Sequence, residues 1–234
     1  MKLVIMQYKI LSNSNISQSD LEIDVNTLLE SVKSVNKKLI HLNMKLGGVN
    51  LYEVTDFRIL SGVVGELFAE DLALKNSSLK KNSNLNGYPD LLNLFTNGSS
   101  KYYSECSQSD LLKYKYGGFE VKNSFGSKKT GSIIMGNDTR IKNINKKIDW
   151  KAHHRETNNL IALFSDFVNG NPMIVALFYS NNLSEEDWRK VSVPKGNSAM
   201  TSFTTLTSTG YNKLKSGIKL CLNLEDYLSF FESK

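Results

Sequence analysis

The chain has 234 residues, of which 40% are hydrophobic, and a formal net charge of +6 at pH 7. This length and apolar content suit a single domain over residues 1–234, and the basic balance fits a partner that carries phosphate groups. Cys106 and Cys221 are far apart and lack a disulfide or zinc-site pattern, which favours a reducing, cytoplasmic setting. No run approaches the roughly 20 apolar residues of a membrane helix, so no membrane partner is expected.

The N-terminal third is predicted to be helical after a short apolar segment and a polar loop in residues 1–20. Apolar residues recur at helical spacing through residues 21–46 and again through residues 56–74. Glu66 lies in the second helix, opposite its apolar face, so its side chain would face water or a polar cleft. A short strand over residues 49–54 would separate the two helices.

Two short motifs follow in the middle of the chain, Pro89-Asp90 and, further along, Glu120-Val121-Lys122. Residues 119–125 are predicted to form a strand, in which Glu120 and Lys122 share one face while Val121 points into a core. Asp90, at the end of a neighbouring segment, could add a second carboxylate. Two carboxylates with backbone oxygens and water form the oxygen site that Mg²⁺ prefers. A lysine beside that site could orient or deprotonate a water molecule, or stabilise charge on a phosphate.

This arrangement resembles the PD-(D/E)xK nuclease superfamily, which includes most type II restriction endonucleases. The matching residues are Pro89, Asp90, Glu120 and Lys122. The resemblance implies an α/β (α+β) fold with a central mixed β-sheet flanked by helices, restriction-endonuclease-like, and a Mg²⁺ ion held by Asp90 and Glu120. Lys122 would position or activate water. Related nucleases often carry another acid on a helix before the PD segment, which makes Glu66 a further catalytic candidate.

The same resemblance implies double-stranded DNA as the substrate and a homodimer, because two-fold protein symmetry matches a palindromic site. The N-terminal helices would span residues 21–74 and the catalytic core residues 86–135. Residues 139–234 would supply DNA recognition and extend the sheet. The glycines of residues 126–131 suggest a phosphate-binding loop, but Ser132-Ile133 stands where such loops carry Lys-Ser/Thr, so no nucleotide cofactor is expected.

Candidate DNA contacts come from basic and polar stretches beyond the catalytic core. Such side chains bind phosphates or read base edges. For Lys128 and Lys129, an ordinary solvated loop is an alternative. His153 and His154 could instead bind a metal, but the sequence places no third ligand near them. They could also serve a His-based nuclease site, but the downstream histidine pattern of such a site is absent. DNA contact or structural hydrogen bonding is therefore favoured. The candidates are Lys128, Lys129, Lys151, His153, His154, Arg155, Asn158, Lys195 and Asn197.

The remaining elements are predicted from simpler patterns. Residues 75–87 should form a loop, and residues 96–109 are a further polar stretch. Two apolar runs, 160–168 and 173–179, flank Asn169-Gly170 and predict a hairpin. Further along, the sequence predicts a short helix in residues 183–188, capped by Ser184 and Asp187. Residues 192–210 are rich in Ser and Thr and would form a recognition segment, a strand or a loop. A strand in residues 211–222 and a terminal helix in residues 223–231 follow.

Four functions fit these patterns. The favoured one is a type II restriction endonuclease that makes Mg²⁺-dependent double-strand cuts. A repair or recombination nuclease that recognises DNA structure would carry the same motif. A non-catalytic DNA-binding protein would use the acids and lysine as a structural ion pair. In the simplest case the chain is a basic α/β domain in which Pro89-Asp90 is only a turn.

Overall fold

The structure is a computed structural model, and it describes residues 6–44, 57–125, 149–151, 158–168, 171–190 and 203–232. The strands are β1 (Tyr8–Ile10), β2 (Ile16–Gln18), β3 (Leu21–Ile23), β4 (Leu79–Lys81), β5 (Leu91–Asn93), β6 (Gly118–Phe125), β7 (Asp149–Lys151), β8 (Leu160–Val168), β9 (Asn171–Ser180), β10 (Phe203–Thr205) and β11 (Ile218–Leu222). The helices are α1 (Val25–Met44), α2 (Phe57–Lys75), α3 (Asn97–Glu105), α4 (Ser208–Ser216) and α5 (Glu225–Glu232).

Seven strands form one mixed sheet in the order β1-β11-β9-β8-β6-β5-β4. Strands β6 and β8 are parallel, and the other neighbours in this sheet are antiparallel. Two small antiparallel pairs, β2 with β3 and β7 with β10, lie outside it. The prediction of an α/β fold with a mixed sheet flanked by helices is confirmed.

Each face of the sheet packs against a different set of helices. Helices α1 and α2 contribute Val32 and Phe68 to the core on one face, together with Phe119 of β6. On the other face, Phe164 of β8 packs with Phe231 of α5. Each buried side chain of this size contributes about 1.5–3 kcal/mol through its removal from water. The first core holds β6 through Phe119 and Val121, and β8 and β9 contribute side chains to both cores.

The predicted helix over residues 21–46 is wrong in its first turn. Leu21 and Ile23 are buried while Glu22 between them is exposed, which is the two-residue period of a strand, and they pair with β2. Helix α1 begins only at Val25, because the Asp24 carboxylate accepts a hydrogen bond from the Asn26 amide at 2.6 Å and caps the helix.

Two further predictions need correction, and a polar stretch contains a helix that the sequence did not predict. The predicted loop at residues 75–87 contains the edge strand β4, whose Leu79 is buried against α2. The polar stretch 96–109 contains α3, which Thr96 and Ser99 start with a reciprocal capping box. The predicted strand at residues 211–222 is helix α4 followed by β11, because Thr207 caps the helix and Gly217 ends it.

Other predictions are confirmed. Helix α2, strand β6, the β8–β9 hairpin and the terminal helix α5 lie where the sequence predicted them. The short helix at Glu185–Asp187 is a 3-10 helix with the expected capping box between Ser184 and Asp187. The predicted strand at residues 49–54 lies outside the described residues. Within the described part of the chain, no helix is long and apolar enough to cross a membrane.

Candidate active site

A fork between β5 and β6 forms the centre of the candidate site. These strands pair only through Leu91 with Phe119 and Leu92 with Gly118. Strand β6 then continues beside β8 as far as Phe125. Asp90 lies where β5 and β6 separate, and its carbonyl still accepts a hydrogen bond from the Asn82 amide at 2.8 Å.

The backbone of β6 alternates between β8 and the fork. The Glu120 amide donates to the Asn159 carbonyl at 2.9 Å, so the peptide groups of Glu120 face β8. Those of Val121 and Asn123 therefore face the fork. The Val121 amide donates to Asp90 Oδ2 at 2.8 Å, and the Asn123 carbonyl accepts from Ser61 Oγ at 2.6 Å. The Val121 carbonyl is directed to the same side by this alternation.

The structure brings Asp90, Glu120 and Lys122 together at the fork. Lys122 Nζ lies 2.5 Å from Glu120 Oε1 and 3.2 Å from Asp90 Oδ2. The Asp90 amide donates to Glu120 Oε2 at 3.2 Å. Because Phe119 and Val121 pack into the core beneath α1 and α2, Glu120 and Lys122 point to the opposite face of the sheet. The spatial clustering expected from strand alternation is therefore present.

The three side chains differ in their exposure to solvent. Glu120 is 4% exposed, Lys122 17% and Asp90 29%. Burial raises the pKa of Glu120 to about 7; the Lys122 ammonium lowers it, and the nearby Asp90 carboxylate adds to the rise. Burial alone would lower the pKa of Lys122, but the two carboxylates outweigh burial and raise it. The site therefore contains a buried carboxylate that gains stability from a positive charge placed beside it.

The loop before Asp90 is held in place by a side chain that the sequence analysis did not single out. Asn82 Nδ2 donates to the carbonyls of Pro89 and Leu111, each at 3.0 Å. The Tyr88 amide also donates to the Leu112 carbonyl at 3.1 Å. These bonds fix Asp90 relative to β6. An asparagine in a polar segment carries no distinguishing pattern in the sequence, which is why it was missed.

Gly118 allows β5 and β6 to approach closely just before the fork. Its φ is +148°, and an added Cβ would lie 1.8 Å from the Leu91 carbonyl oxygen. A side chain at this position would push β5 away from β6 and separate Asp90 from Glu120. Gly118 is therefore the residue that the pairing of β5 with β6 requires.

Glu66 does not join the cluster. It is 61% exposed and forms an ion pair with Lys81 of β4 at 2.7 Å. Lys81 is paired with Leu91, whose side chain belongs to the face covered by α1 and α2. Glu66 therefore lies on the other face of the sheet from Glu120 and Lys122, one strand away from Asp90.

Of the candidate DNA contacts, Asn158 is the one whose side chain the structure describes. It is exposed and lies two residues before Leu160, the partner of Glu120 on β8. The backbone of Lys151 belongs to β7, but its side chain is outside the described residues. The remaining candidates also lie outside them: Lys128, Lys129, His153, His154, Arg155, Lys195 and Asn197.

The donor set fits a small divalent cation. Asp90 and Glu120 already contact one positive group, the Lys122 ammonium, so both carboxylates can reach a common cation. Carboxylate and carbonyl oxygens are the ligands that Mg²⁺ prefers, and the Val121 carbonyl is directed towards the same fork. Among the described residues, no group of three or more His, Cys, Asp or Glu side chains forms a metal site. A cation here would thus depend on two carboxylates, backbone oxygen and water.

Comparison with known proteins yields no relative. No protein-family model matches the chain, and no curated protein or solved structure is significantly similar to it. The function of the chain is therefore inferred from the geometry of the fork.

Proposed function

We propose that the chain is a Mg²⁺-dependent DNA endonuclease with a PD-(D/E)xK-type site, and specifically a type II restriction endonuclease with a restriction-endonuclease-like fold. The observation that supports this most directly is the contact of Lys122 with both Asp90 and Glu120 at the point where two strands separate. A motif match by chance would not require these residues to meet. The basic net charge of +6 fits a nucleic-acid substrate.

In this proposal each residue has a separate task. Asp90 and Glu120 would hold a Mg²⁺ ion. Bound Mg²⁺ would neutralise charge on the phosphate and lower the pKa of a water molecule. Lys122 leaves its ion pair with the carboxylates and, as an ammonium, donates a hydrogen bond to a phosphate oxygen or positions the attacking water. To activate the water as a base, Lys122 must first lose its own proton. Water attacks phosphorus in line, the bond to the 3′ oxygen breaks, and the product carries a 5′-phosphate.

One observation favours a second function. The acids and the lysine satisfy one another in the present geometry, which is what a structural ion pair in a non-catalytic DNA-binding protein would look like. Buried ion pairs contribute little net stability, because the cost of removing charges from water offsets their attraction. The contact of Lys122 with Asp90 and Glu120 at the fork is therefore better explained by a catalytic role than by a contribution to folding stability.

The test is incubation of purified protein with unmethylated phage DNA, with Mg²⁺ in one sample and EDTA in the other. Discrete fragments that require Mg²⁺ are the expected result, and sequencing of their ends gives the recognition site. A smear, or cleavage confined to branched DNA, would replace the restriction assignment with a structure-specific repair nuclease. DNA binding without cleavage on any substrate would favour the non-catalytic function.

A further inference from the structure

A cluster of aromatic rings lies beside the fork, on the same face of the sheet as Glu120 and Lys122. The rings of Tyr102, Tyr114 and Tyr116, here called the tyrosine cluster, have centroids 5.6 to 5.9 Å apart. They pack over Leu92, whose strand partner is Gly118. Because Gly118, Glu120 and Lys122 alternate onto one face, the cluster and the candidate site share that face.

The cluster is also close to the site along the sheet. Asp90 immediately precedes β5 and lies two residues before Leu92, which corresponds to about 7 Å along an extended chain. The Tyr114 amide donates to the Tyr88 carbonyl at 2.9 Å, so the tyrosine-bearing loop is tied directly to the segment that carries Asp90. A ligand that reaches the carboxylates can therefore touch the cluster as well.

The cluster combines a fixed base with partly exposed rings. Tyr114 is 3% exposed and its hydroxyl donates to the Ser99 carbonyl at 3.0 Å, which anchors the cluster. Tyr102 and Tyr116 are partly exposed. The Lys115 ammonium lies 3.8 Å from the Tyr102 centroid and 5.1 Å from the Tyr116 centroid. The rings thus form an accessible π-surface that already attracts a cation.

The surrounding charges are mixed, with an excess of lysine. Lys101, Lys113 and Lys115 are exposed around the cluster, as are Glu105 and Asp110. Asp110 already accepts hydrogen bonds from the Ser107 amide and hydroxyl, at 2.8 and 2.7 Å, which compensates part of its charge. Exposed aromatic rings flanked by lysines are the arrangement that binds unpaired nucleotides, because bases stack on the rings and phosphates meet the ammonium groups.

We propose that the tyrosine cluster binds an unpaired nucleotide of the DNA strand next to the phosphate at Asp90 and Glu120. The base stacks on Tyr116 and Tyr102, and Lys115 moves from the rings to a phosphate oxygen. Bases inside a duplex are paired and stacked and cannot reach the rings. The inference rests on the proposed nuclease function and adds that one nucleotide of the duplex is extruded from the base stack beside the phosphate that is cleaved.

The test measures binding in EDTA, so that cleavage does not enter. Dye-labelled oligothymidylate and a duplex of equal length are titrated by fluorescence anisotropy with the wild type, Tyr116→Ala and Tyr116→Phe. Loss of one base-stacking contact should weaken single-strand binding roughly 5- to 150-fold in Tyr116→Ala, while Tyr116→Phe retains the ring and binds like the wild type. Equal single-strand affinities of the wild type and Tyr116→Ala would overturn the inference, as would absence of single-strand binding by the wild type.

A second pair of variants covers the case in which Tyr116→Ala fails to fold. Lys115→Gln changes an exposed side chain and should reduce the salt dependence of single-strand binding by about 0.7 in log–log slope, which is the loss of one phosphate contact. Lys33→Gln, an exposed lysine on α1, should leave that slope unchanged. Identical slopes for the wild type and Lys115→Gln would overturn the inference. Mg²⁺-dependent cleavage by the wild type is scored separately, so failure of the nuclease function is distinguished from failure of base stacking.

Discussion

At the scale of single residues, Lys122 carries two tasks that can be separated. Its ammonium neutralises both carboxylates, and in the proposed reaction it contacts the phosphate or the water. Lys122→Met should lower the rate of Mg²⁺-dependent cleavage by about 10²- to 10⁴-fold, the usual effect of losing a proton-transfer or charge-stabilising group. Single-turnover cleavage of an end-labelled oligonucleotide measures this. Unchanged rates would remove Lys122 from the active site.

The raised pKa of Glu120 predicts a pH dependence with a definite sign. In the unfolded chain a glutamate has a pKa of roughly 4.3, whereas in the folded protein burial raises the pKa of Glu120 to about 7. Between these values the folded state binds the extra proton, so the contribution of Glu120 to stability is complete below the lower pKa and is lost as pH rises through about 7. The pKa of Lys122 is also raised, but the ordinary pKa of a lysine already lies far above this pH range. Lys122 therefore adds no change in the free energy of unfolding between the two pKa values of Glu120.

This dependence can be measured against Glu120→Gln. Denaturant unfolding without metal should show that the wild type loses stability relative to Glu120→Gln as pH rises towards 7. Mg²⁺ affinity should instead increase over the same interval, by up to about tenfold per pH unit, because the ion displaces the proton from Glu120. Parallel pH curves for the two proteins in both measurements would show that Glu120 does not titrate in this range.

Glu66 offers a contrast within the same set of candidates. Its ion pair with Lys81 is largely exposed, and such pairs contribute at most about 1 kcal/mol to stability. Glu66→Gln should therefore unfold at nearly the same denaturant concentration as the wild type. If it also cleaves at the wild-type rate, Glu66 is a surface residue; a large loss of cleavage with unchanged stability would make it the third catalytic acid.

At the scale of elements, the β5–β6 pairing positions the site through Gly118. Gly118→Ala should destabilise the protein by about 1–3 kcal/mol and reduce cleavage, because the new Cβ would collide with the Leu91 carbonyl. The matched control is Gly62→Ala on α2, where an added Cβ meets nothing within 4 Å. That change should stabilise the helix by up to about 1 kcal/mol. Thermal melts of both variants test the comparison, and equal effects would contradict it.

The elements show which parts of the fold a sequence can predict. Strands β8 and β9 are apolar runs, and in the mixed sequence of β6 alternation alone places Glu120 and Lys122 on one face. Two short polar elements were missed for different reasons. Strand β4 depends on pairing with β5. Helix α3 starts from a local capping box between Thr96 and Ser99, and these residues do not stand out in a stretch that is polar throughout. Asn82 could not be found because its acceptors, the Pro89 and Leu111 carbonyls, meet only in the folded chain.

At the scale of the whole molecule, the sheet joins motifs from separate parts of the sequence. The sequence predicted the mixed sheet and helices on its flanks. It did not predict that α4 and α5 lie on one face of the sheet and α1 and α2 on the other. That division depends on which face of β8 and β9 packs against which helices, and these two strands carry buried apolar side chains on both faces. Dimer formation and DNA recognition by residues 139–234 remain predictions.

The central claim is that Asp90, Glu120 and Lys122 form a Mg²⁺-dependent phosphodiesterase site. The most direct measurement compares cleavage of unmethylated phage DNA by the wild type, Glu120→Gln and Glu30→Gln in Mg²⁺ and in EDTA. Glu30 pairs with Lys33 on the exposed side of α1, so its variant controls for the loss of one acid. Cleavage in Mg²⁺ by the wild type and Glu30→Gln, with none by Glu120→Gln, is the predicted result. Equal cleavage by Glu120→Gln, or no cleavage by the wild type on any DNA, would contradict the claim.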